Sequence, residues 1–271
     1  MKSILSFCTA VLALGVAGGV SAQTKTWNFG DGTAPGSCSD AANANAGNMG
    51  NKYGCTEQPG GTVVNLEVKS YGNTGAGATF AAANTAYWGT GSGFGVRNAT
   101  EGLSVAEPDH AMDNNGSQDL LMLKFTGAGT LALNSLQLGW TQNDSDVSIL
   151  RWAGAGAPET ALTGATVGTL AASGWSWVAN LSNIGTGVAS FNTGVGAVSS
   201  SYWIVAAYNT SFDGAAYLDA TTDYMKVLAV AGNVTGGPGG ATGVPEPTSL
   251  ALLAAAALGG LATRRRWLKR G

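Results

Sequence analysis

The feature that most constrains the fold is a series of short apolar or alternating runs, interrupted every few residues by small and turn-forming residues. Val64, Leu66 and Val68 alternate with polar residues, so this segment is predicted to be a strand with one buried face. The sequence contains 42 glycines, and the periodicity of an amphipathic helix is nearly absent between the two chain ends. This pattern predicts an all-β body.

The other predicted strands are apolar or alternating segments of similar length. They are residues 119–126, 131–140, 147–152, 175–181, 202–208 and 224–231. Seven or more strands joined by long loops favour an antiparallel β-sandwich of the jelly-roll type. A parallel βαβ fold is disfavoured because no long amphipathic helix separates the strands. A β-solenoid is the alternative, although no fixed repeat period supports it.

The first 22 residues are predicted to be a signal peptide. Lys2 precedes an apolar run over residues 4–20, and the small residues of Val20-Ser21-Ala22 meet the requirement for signal cleavage. We therefore expect a signal helix over residues 1–22 and an exported chain that begins at Gln23. An uncleaved N-terminal membrane anchor is the alternative.

The C-terminal end has four consecutive segments of different composition. Residues 232–243 are Gly-rich and are predicted to be a flexible linker, so the predicted body spans residues 23–231. An apolar segment over residues 248–263 would form a helix of about 24 Å, which is short for a bilayer core of about 30 Å. The sorting residues before this helix and the basic residues after it are Val244, Pro245, Glu246 and Pro247, then Arg264, Arg265 and Arg266. The basic end is predicted to stay in the cytoplasm.

This order of segments resembles the PEP-CTERM sorting tail of Gram-negative bacteria, in which a Pro-Glu-Pro motif precedes a short hydrophobic helix and arginines. The resemblance implies that residues 244–271 are a sorting tail and that their helix is a transient membrane anchor. It also implies removal of the tail by an exosortase, a membrane protease or transpeptidase. The body would then lie at the cell surface or in the extracellular matrix. An ordinary C-terminal anchor is the alternative, but such an anchor does not need Pro-Glu-Pro.

The charge of the body limits its partners. The region from Gln23 to Gly243 contains 7 basic and 15 acidic residues. This balance argues against nucleic acid as a partner, because phosphate binding needs clustered lysines and arginines. It fits the binding of cations or of neutral polar partners such as extracellular polysaccharide.

Two acidic loops lead into predicted strands and form the candidate metal site. Residues 107–119 precede strand 119–126, and residues 139–148 precede strand 147–152. If strands 119–126 and 131–140 pair as a hairpin, both loops lie at one end of the sandwich. Ca²⁺ binds carboxylate, amide and carbonyl oxygens. The ligand candidates are Asp113, Asn114, Asp119, Asp144 and Asp146. The alternative is that these residues only build turns through local hydrogen bonds.

Both loops together resemble a family of exosortase-dependent surface proteins. The shared pattern is Pro-x-His-Ala-x-Asp-Asn followed by Gly-Trp and Asp-Ser-Asp, and the agreement covers Pro108 to Trp152. The resemblance implies surface location and processing, and it implies no reaction.

Three further residue types bear on function. His110 is the single histidine, and no Gly-x-Ser-x-Gly motif accompanies it. We therefore expect no enzyme activity, and we expect a hydrogen bond from His110 to a loop carboxylate or carbonyl.

Cys38 and Cys55 remain after signal removal, and an oxidising exterior predicts a disulfide between them. Trp175 and Trp177 share one face of a predicted strand, and burial of this face in the core is the favoured interpretation, since large aromatic side chains usually bury. The alternative is an exposed pair that would stack on sugar rings as a glycan contact.

These features together predict an exported, exosortase-processed and non-catalytic surface or matrix protein, associated with exopolysaccharide such as that of a biofilm. The alternative function is a carbohydrate-binding module with a structural calcium site. No other cofactor is predicted.

Overall fold

The computed structural model describes the greater part of the predicted body. The described residues are 23–30, 38–41, 48–56, 63–74, 77–102, 108, 110–127, 129–212 and 218–235. The predicted signal helix, the Pro-Glu-Pro motif and the sorting helix lie outside the described residues, as do residues 236–243 of the predicted linker.

The described residues form fifteen strands, one α-helix and one 3₁₀ helix. In chain order the elements are β1 (Gln23–Asn28), β2 (Cys38–Ala41), β3 (Lys52–Cys55), β4 (Val64–Asn73), β5 (Phe80–Ala82), β6 (Asn84–Tyr87), β7 (Phe94–Arg97), β8 (Met112–Asp113), β9 (Gln118–Gly127), β10 (Thr130–Asn143), β11 (Val147–Trp152), α1 (Pro158–Thr163), the 3₁₀ helix (Val167–Thr169), β12 (Trp175–Leu181), β13 (Val188–Ser190), β14 (Tyr202–Ala207) and β15 (Asp223–Thr235).

The strands pair into two antiparallel sheets. Sheet A has seven strands in the order β13-β10-β15-β7-β6, and β1 and β8 also pair with β15. Sheet B has eight strands in the order β12-β11-β14-β9-β4-β3-β2, and β5 also pairs with β4. The predicted all-β antiparallel sandwich is therefore confirmed. Its two sheets together contain more strands than the eight of a jelly roll.

Apolar side chains are buried on both faces of sheet B. Leu121 and Leu123 of β9 belong to the main core, which also contains Leu133 of β10 in sheet A. Leu120 of β9 belongs to a second core cluster with Leu162 of α1. Because β9 is covered on both faces, its sequence is a continuous apolar run and not an alternating one.

Strands β9 and β10 are consecutive but lie in different sheets. β9 pairs with β4 and β14, whereas β10 pairs with β13 and β15. The hairpin between residues 119–126 and 131–140, which was the condition for the two acidic loops to meet, therefore does not form. Gly127 has a φ of 131° and Gly129 a φ of 93°. These backbone conformations, which glycine adopts at low cost, turn the chain from one sheet into the other.

The last strand extends beyond the predicted end of the body at residue 231. In β15, Gly232 pairs with Leu133 of β10 on one side and with Lys25 of β1 on the other. A Cβ atom at Gly232 would lie 2.7 Å from the carbonyl oxygen of Ala132. The first part of the predicted linker is therefore a central strand, and its glycine permits a close approach of two backbones.

Candidate metal centre

The start of β15 brings the two acidic loops to the same end of the sandwich. Asp113, at the end of β8, pairs with Tyr224 of β15. Asn143, at the end of β10, pairs with Asp223, the first residue of β15. The loops therefore lie at one end of the sandwich, as expected, but a strand that lies far along the chain brings them together, and not a hairpin of residues 119–126 with 131–140.

The predicted ligand residues do not form one site. Their carboxylates fall into two clusters, and within each cluster the candidate ligand oxygens lie within 4.8 Å of one another. The Asp144 cluster consists of Asp144, Asp146 and Asp223, and the Asp119 cluster consists of Glu101, Asp113 and Asp119. The prediction of a single site is therefore wrong. β14 lies between β9 and β11 in sheet B, so the starts of these two strands are roughly 10 Å apart.

The Asp144 cluster is buried and held by hydrogen bonds between distant segments. The backbone N–H of Asp146 donates to Asp223 Oδ1 at 2.7 Å, and the N–H of Asn183 donates to Asp146 Oδ1 at 2.7 Å. Asp144 alone accepts a hydrogen bond from the residue that follows it in sequence, since the N–H of Ser145 donates to Asp144 Oδ1 at 2.7 Å. Asp146 and Asp223 are each 1% exposed, and Asp146 Oδ2 has no hydrogen-bond partner. Local turn building therefore explains Asp144 but not Asp146 or Asp223.

Asn114 positions Asp223, although we predicted it as a ligand. Its side-chain amide donates to Asp223 Oδ2 at 2.7 Å and to the carbonyl oxygen of Tyr208 at 3.0 Å. Its Oδ1 accepts from the N–H of Asp223 at 2.9 Å. These three hydrogen bonds fix the Asp223 side chain at the start of β15.

Burial and mutual repulsion disfavour the ionised forms of the Asp144 cluster. Burial, with repulsion from Asp146 and Asp144, raises the pKa of Asp223 to about 7. Burial is also the main cause that raises the pKa of Asp146 and of Asp144, and the nearby Asp219 adds to it. No lysine or arginine among the described residues contributes to these shifts. The cluster is an uncompensated concentration of negative charge whenever its carboxyl groups are ionised.

The Asp119 cluster is similar in composition. Asp119 is 0% exposed; its Oδ1 accepts from the side-chain amide of Asn98 at 3.2 Å, and its Oδ2 has no hydrogen-bond partner. Burial, followed by repulsion from Asp113 and Glu101, raises the pKa of Asp119 well above its ordinary value. Asp113 Oδ1 accepts from the N–H of Asn115 at 2.9 Å, which is a local turn contact. The turn interpretation therefore accounts for part of this cluster.

Two residues of these clusters, Glu101 and Asp223, were not among our predicted ligands. Asp223 stands immediately before the predicted strand 224–231, just as Asp146 stands immediately before strand 147–152. A carboxylate at the start of a strand is therefore the signal that the two share. Glu101 offers no such signal, and its Oε2 accepts from the N–H of Asn98 at 2.8 Å.

The His110 ring contacts a loop carbonyl and an aromatic ring, and the His110 backbone lies close to that of Gly95. Its Nε2 lies 3.2 Å from the carbonyl oxygen of Gly102, and its ring centroid lies 5.5 Å from that of Trp88. A Cβ atom at Gly95 would lie 1.9 Å from the carbonyl oxygen of His110. The contact with a loop carbonyl agrees with the sequence prediction for His110.

The structure buries one of these two tryptophans and exposes the other. Trp175 is 1% exposed, and its ring packs against Trp152 with centroids 5.4 Å apart. Trp175 packs in the core cluster that includes Leu162 of α1. Trp177 is 36% exposed, and its Nε1 donates to Asn180 Oδ1 at 3.1 Å. A single aromatic side chain is therefore presented at this position.

Cys38 and Cys55 form a disulfide in the structure. The two residues are direct partners in the pairing of β2 with β3, at the end of sheet B. Cys55 is 2% exposed and belongs to the main core. The disulfide therefore attaches the outermost strand of the sheet to the core.

Comparison with known proteins identifies the C-terminal end of the chain. No curated protein and no solved structure matches the chain, and among the described residues no helix is long and apolar enough to cross a membrane. Residues 243–266 match the PEP-CTERM protein-sorting motif. This match includes the Pro-Glu-Pro residues and the three arginines that we predicted, whereas the resemblance over Pro108 to Trp152 stays a prediction. The chain therefore carries a PEP-CTERM protein-sorting motif, which implies an exported surface protein with a transient C-terminal membrane anchor and targeting to an exosortase.

Proposed function

We propose that this protein is a non-catalytic component of the cell surface or extracellular matrix that associates with exopolysaccharide after processing by an exosortase. The observation that carries the proposal is the position of the sorting motif, residues 243–266, shortly after a β-sandwich whose last strand ends at Thr235. Processing near the motif would leave the sandwich as the exported product. The function of the product would then reside in the surface of the sandwich.

The carboxylates of the sandwich support binding over acid–base catalysis of glycan cleavage. Glycoside hydrolysis uses two accessible carboxyl groups on either side of the scissile bond. Asp144, Asp146 and Asp223 are instead at most 7% exposed, and their candidate ligand oxygens lie within 4.8 Å of one another. The single histidine, His110, is 8% exposed and is packed against Trp88.

A groove beside the end of β11 and the start of β14 favours the second candidate function, a carbohydrate-binding module. The groove has a volume of about 510 Å³, and Arg151, Trp152 and Tyr202 line it together with several serines and glycines. Lys124 Nζ lies 5.8 Å from the centroid of the Tyr202 ring. Half-buried aromatic rings can stack on sugar rings, and an arginine can bind a sugar carboxylate in a bidentate manner. Although the body as a whole is acidic, Arg151 and Lys124 give this groove a local positive charge, so the groove fits a polysaccharide that carries carboxylates.

The processing part of the proposal is tested by deletion of residues 244–247. We expect the variant to stay uncut in the membrane fraction, because the motif and not the helix is the processing signal. A matched deletion of residues 237–240 should be processed like the wild type. Normal processing of the chain that lacks residues 244–247 would refute this part of the proposal.

The polysaccharide part is tested by retention of the exported protein on immobilised exopolysaccharide from its own host and on a glycan array. Arg151→Gln should reduce retention on acidic glycans. Lys52→Gln is a matched control, since Lys52 pairs with Glu67 at 2.7 Å and does not line the groove. Absence of retention by the wild type would refute association with polysaccharide, and equal loss in both variants would refute the groove as its site.

A further inference from the structure

The Asp144 cluster contains a buried oxygen for which the protein supplies no partner. Asp146 Oδ2 is fully buried and without a hydrogen bond, and its residue shares a cluster of ligand oxygens with Asp144 and Asp223. A buried carboxylate oxygen without a partner is destabilising, and more so when other carboxylates lie beside it. Such an arrangement is stabilised when a ligand of positive charge occupies the space between the oxygens.

The cluster is assembled from four separate parts of the chain. Asp144 and Asp146 lie between β10 and β11, and Asp223 begins β15. Asn183, which follows β12, fixes Asp146 through its N–H, and Asn114, which follows β8, fixes Asp223 through its side chain. The oxygens are therefore held in place by the tertiary structure before any ligand arrives, which reduces the cost of binding.

An exposed carboxylate connects the cluster with solvent. Asp219 is exposed, and its Oδ1 accepts from the N–H of Thr221 at 2.8 Å. Its side chain interacts with that of Asp144. Asp219 is therefore placed to attract a cation from solvent towards the buried oxygens.

We propose that Asp144, Asp146 and Asp223 bind one Ca²⁺ ion, with Asp219 at its entrance and Asn114 as a positioning residue for Asp223. The ligand atoms are carboxylate oxygens, which hard divalent cations prefer, and Ca²⁺ accepts irregular sets of such ligands. The proposal does not depend on polysaccharide binding.

The experiment compares thermal unfolding of the full exported chain in metal-free buffer, in millimolar CaCl₂ and in NaCl of equal ionic strength. At a Ca²⁺ concentration one hundred times its Kd, the melting temperature should rise by about 5–10 °C. NaCl should not reproduce this rise. An equal rise in NaCl would show general charge screening and would overturn the proposal.

The variant Asp146→Asn separates cation binding from a structural role. Its Oδ1 can still accept from the N–H of Asn183, and one buried charge is removed. We expect the variant to melt at least as high as the wild type in metal-free buffer and to lose most of the Ca²⁺ response. Equilibrium dialysis should give one bound Ca²⁺ fewer per chain than for the wild type. A purely structural role would instead lower the melting temperature in every buffer.

Asp119→Asn is the matched control in the other cluster, since Asp119 is also buried and also has an unpartnered oxygen. The Asp119→Asn variant should still bind the Ca²⁺ ion that the Asp146→Asn variant loses. The proposal is overturned if Asp146→Asn keeps the wild-type response, or if Asp119→Asn and not Asp146→Asn abolishes it.

Discussion

In metal-free buffer the stability of the protein should fall as the pH rises from about 5 to about 7. Burial and neighbouring carboxylates raise the pKa of Asp223 from its ordinary 3.8 to about 7 in the folded protein. A group whose pKa is raised by folding stabilises the protein fully below its unfolded pKa, and this stabilisation is lost as the pH rises through the folded pKa. For Asp223 the loss therefore extends from about pH 4 to about pH 7.

The size of the effect follows from the pKa of Asp223. One pKa unit corresponds to 1.36 kcal/mol, so the two pH units between 5 and 7 give at most about 2.7 kcal/mol. Solvent near the exposed Asp219 screens the cluster and reduces the expected change to about 1–2 kcal/mol. Asp144, Asp146 and Asp119 also have raised pKa values and change stability in the same direction. Asp219 and Glu67 have lowered pKa values, so their contributions are complete above about pH 4.5.

Urea denaturation at constant ionic strength, with calcium removed, measures this change at several pH values. The free energy of unfolding should be lower at pH 8 than at pH 5 for the wild type. Asp146→Asn removes one of the repelling charges, so its curve should be flatter. A free energy of unfolding that stays constant or rises across this range would refute the interpretation of the Asp144 cluster as an uncompensated acidic group.

Two further changes test other parts of the fold. Replacement of Cys38 and Cys55 by serine should lower the free energy of unfolding by about 3 kcal/mol, because the disulfide closes a loop with a sequence separation of 17; urea denaturation measures this, and two free thiols by mass spectrometry of the exported wild type would contradict it. Gly95→Ala should destabilise by more than about 1 kcal/mol, since its Cβ would lie 1.9 Å from a backbone carbonyl oxygen, whereas Gly168→Ala, with no atom within 4 Å, should change stability by less than about 0.5 kcal/mol. Equal melting temperatures of the two glycine variants would refute the close contact.

Seven strands could be predicted from the sequence because their apolar patterns are local, namely β4, β9, β10, β11, β12, β14 and β15. The other eight described strands, most of them short, were not predicted. The segments predicted at residues 147–152 and 175–181 coincide with β11 and β12. The assignment of strands to sheets could not be predicted, since the crossing at Gly127 and Gly129 depends on backbone conformation and on the far partners of β9 and β10. Gly232 misled the prediction in a similar way, because a glycine required for close packing has the same composition signal as one in a linker.

The candidate site could be predicted only in part for the same reason. Asp144 and Asp146 stand in a conspicuous acidic loop, and the structure keeps them together. Their third partner, Asp223, is separated from Asp146 by 77 positions and is joined to it by a backbone hydrogen bond. No local pattern links residues at that separation. Asp119 stands in an equally conspicuous loop, but the intervening strand β14 directs it to another cluster.

The pairing of β1 with β15 has a consequence for the order in which the protein folds. β1 is the first described strand and β15 is the last, and β15 also pairs with β7, β8 and β10. During synthesis and translocation the amino-terminal strand emerges first, but its partner is the segment that emerges last. Sheet A therefore cannot close until residues 223–235 have been delivered. Such long-range pairing also slows folding, so sheet A is completed only after its last strand has emerged.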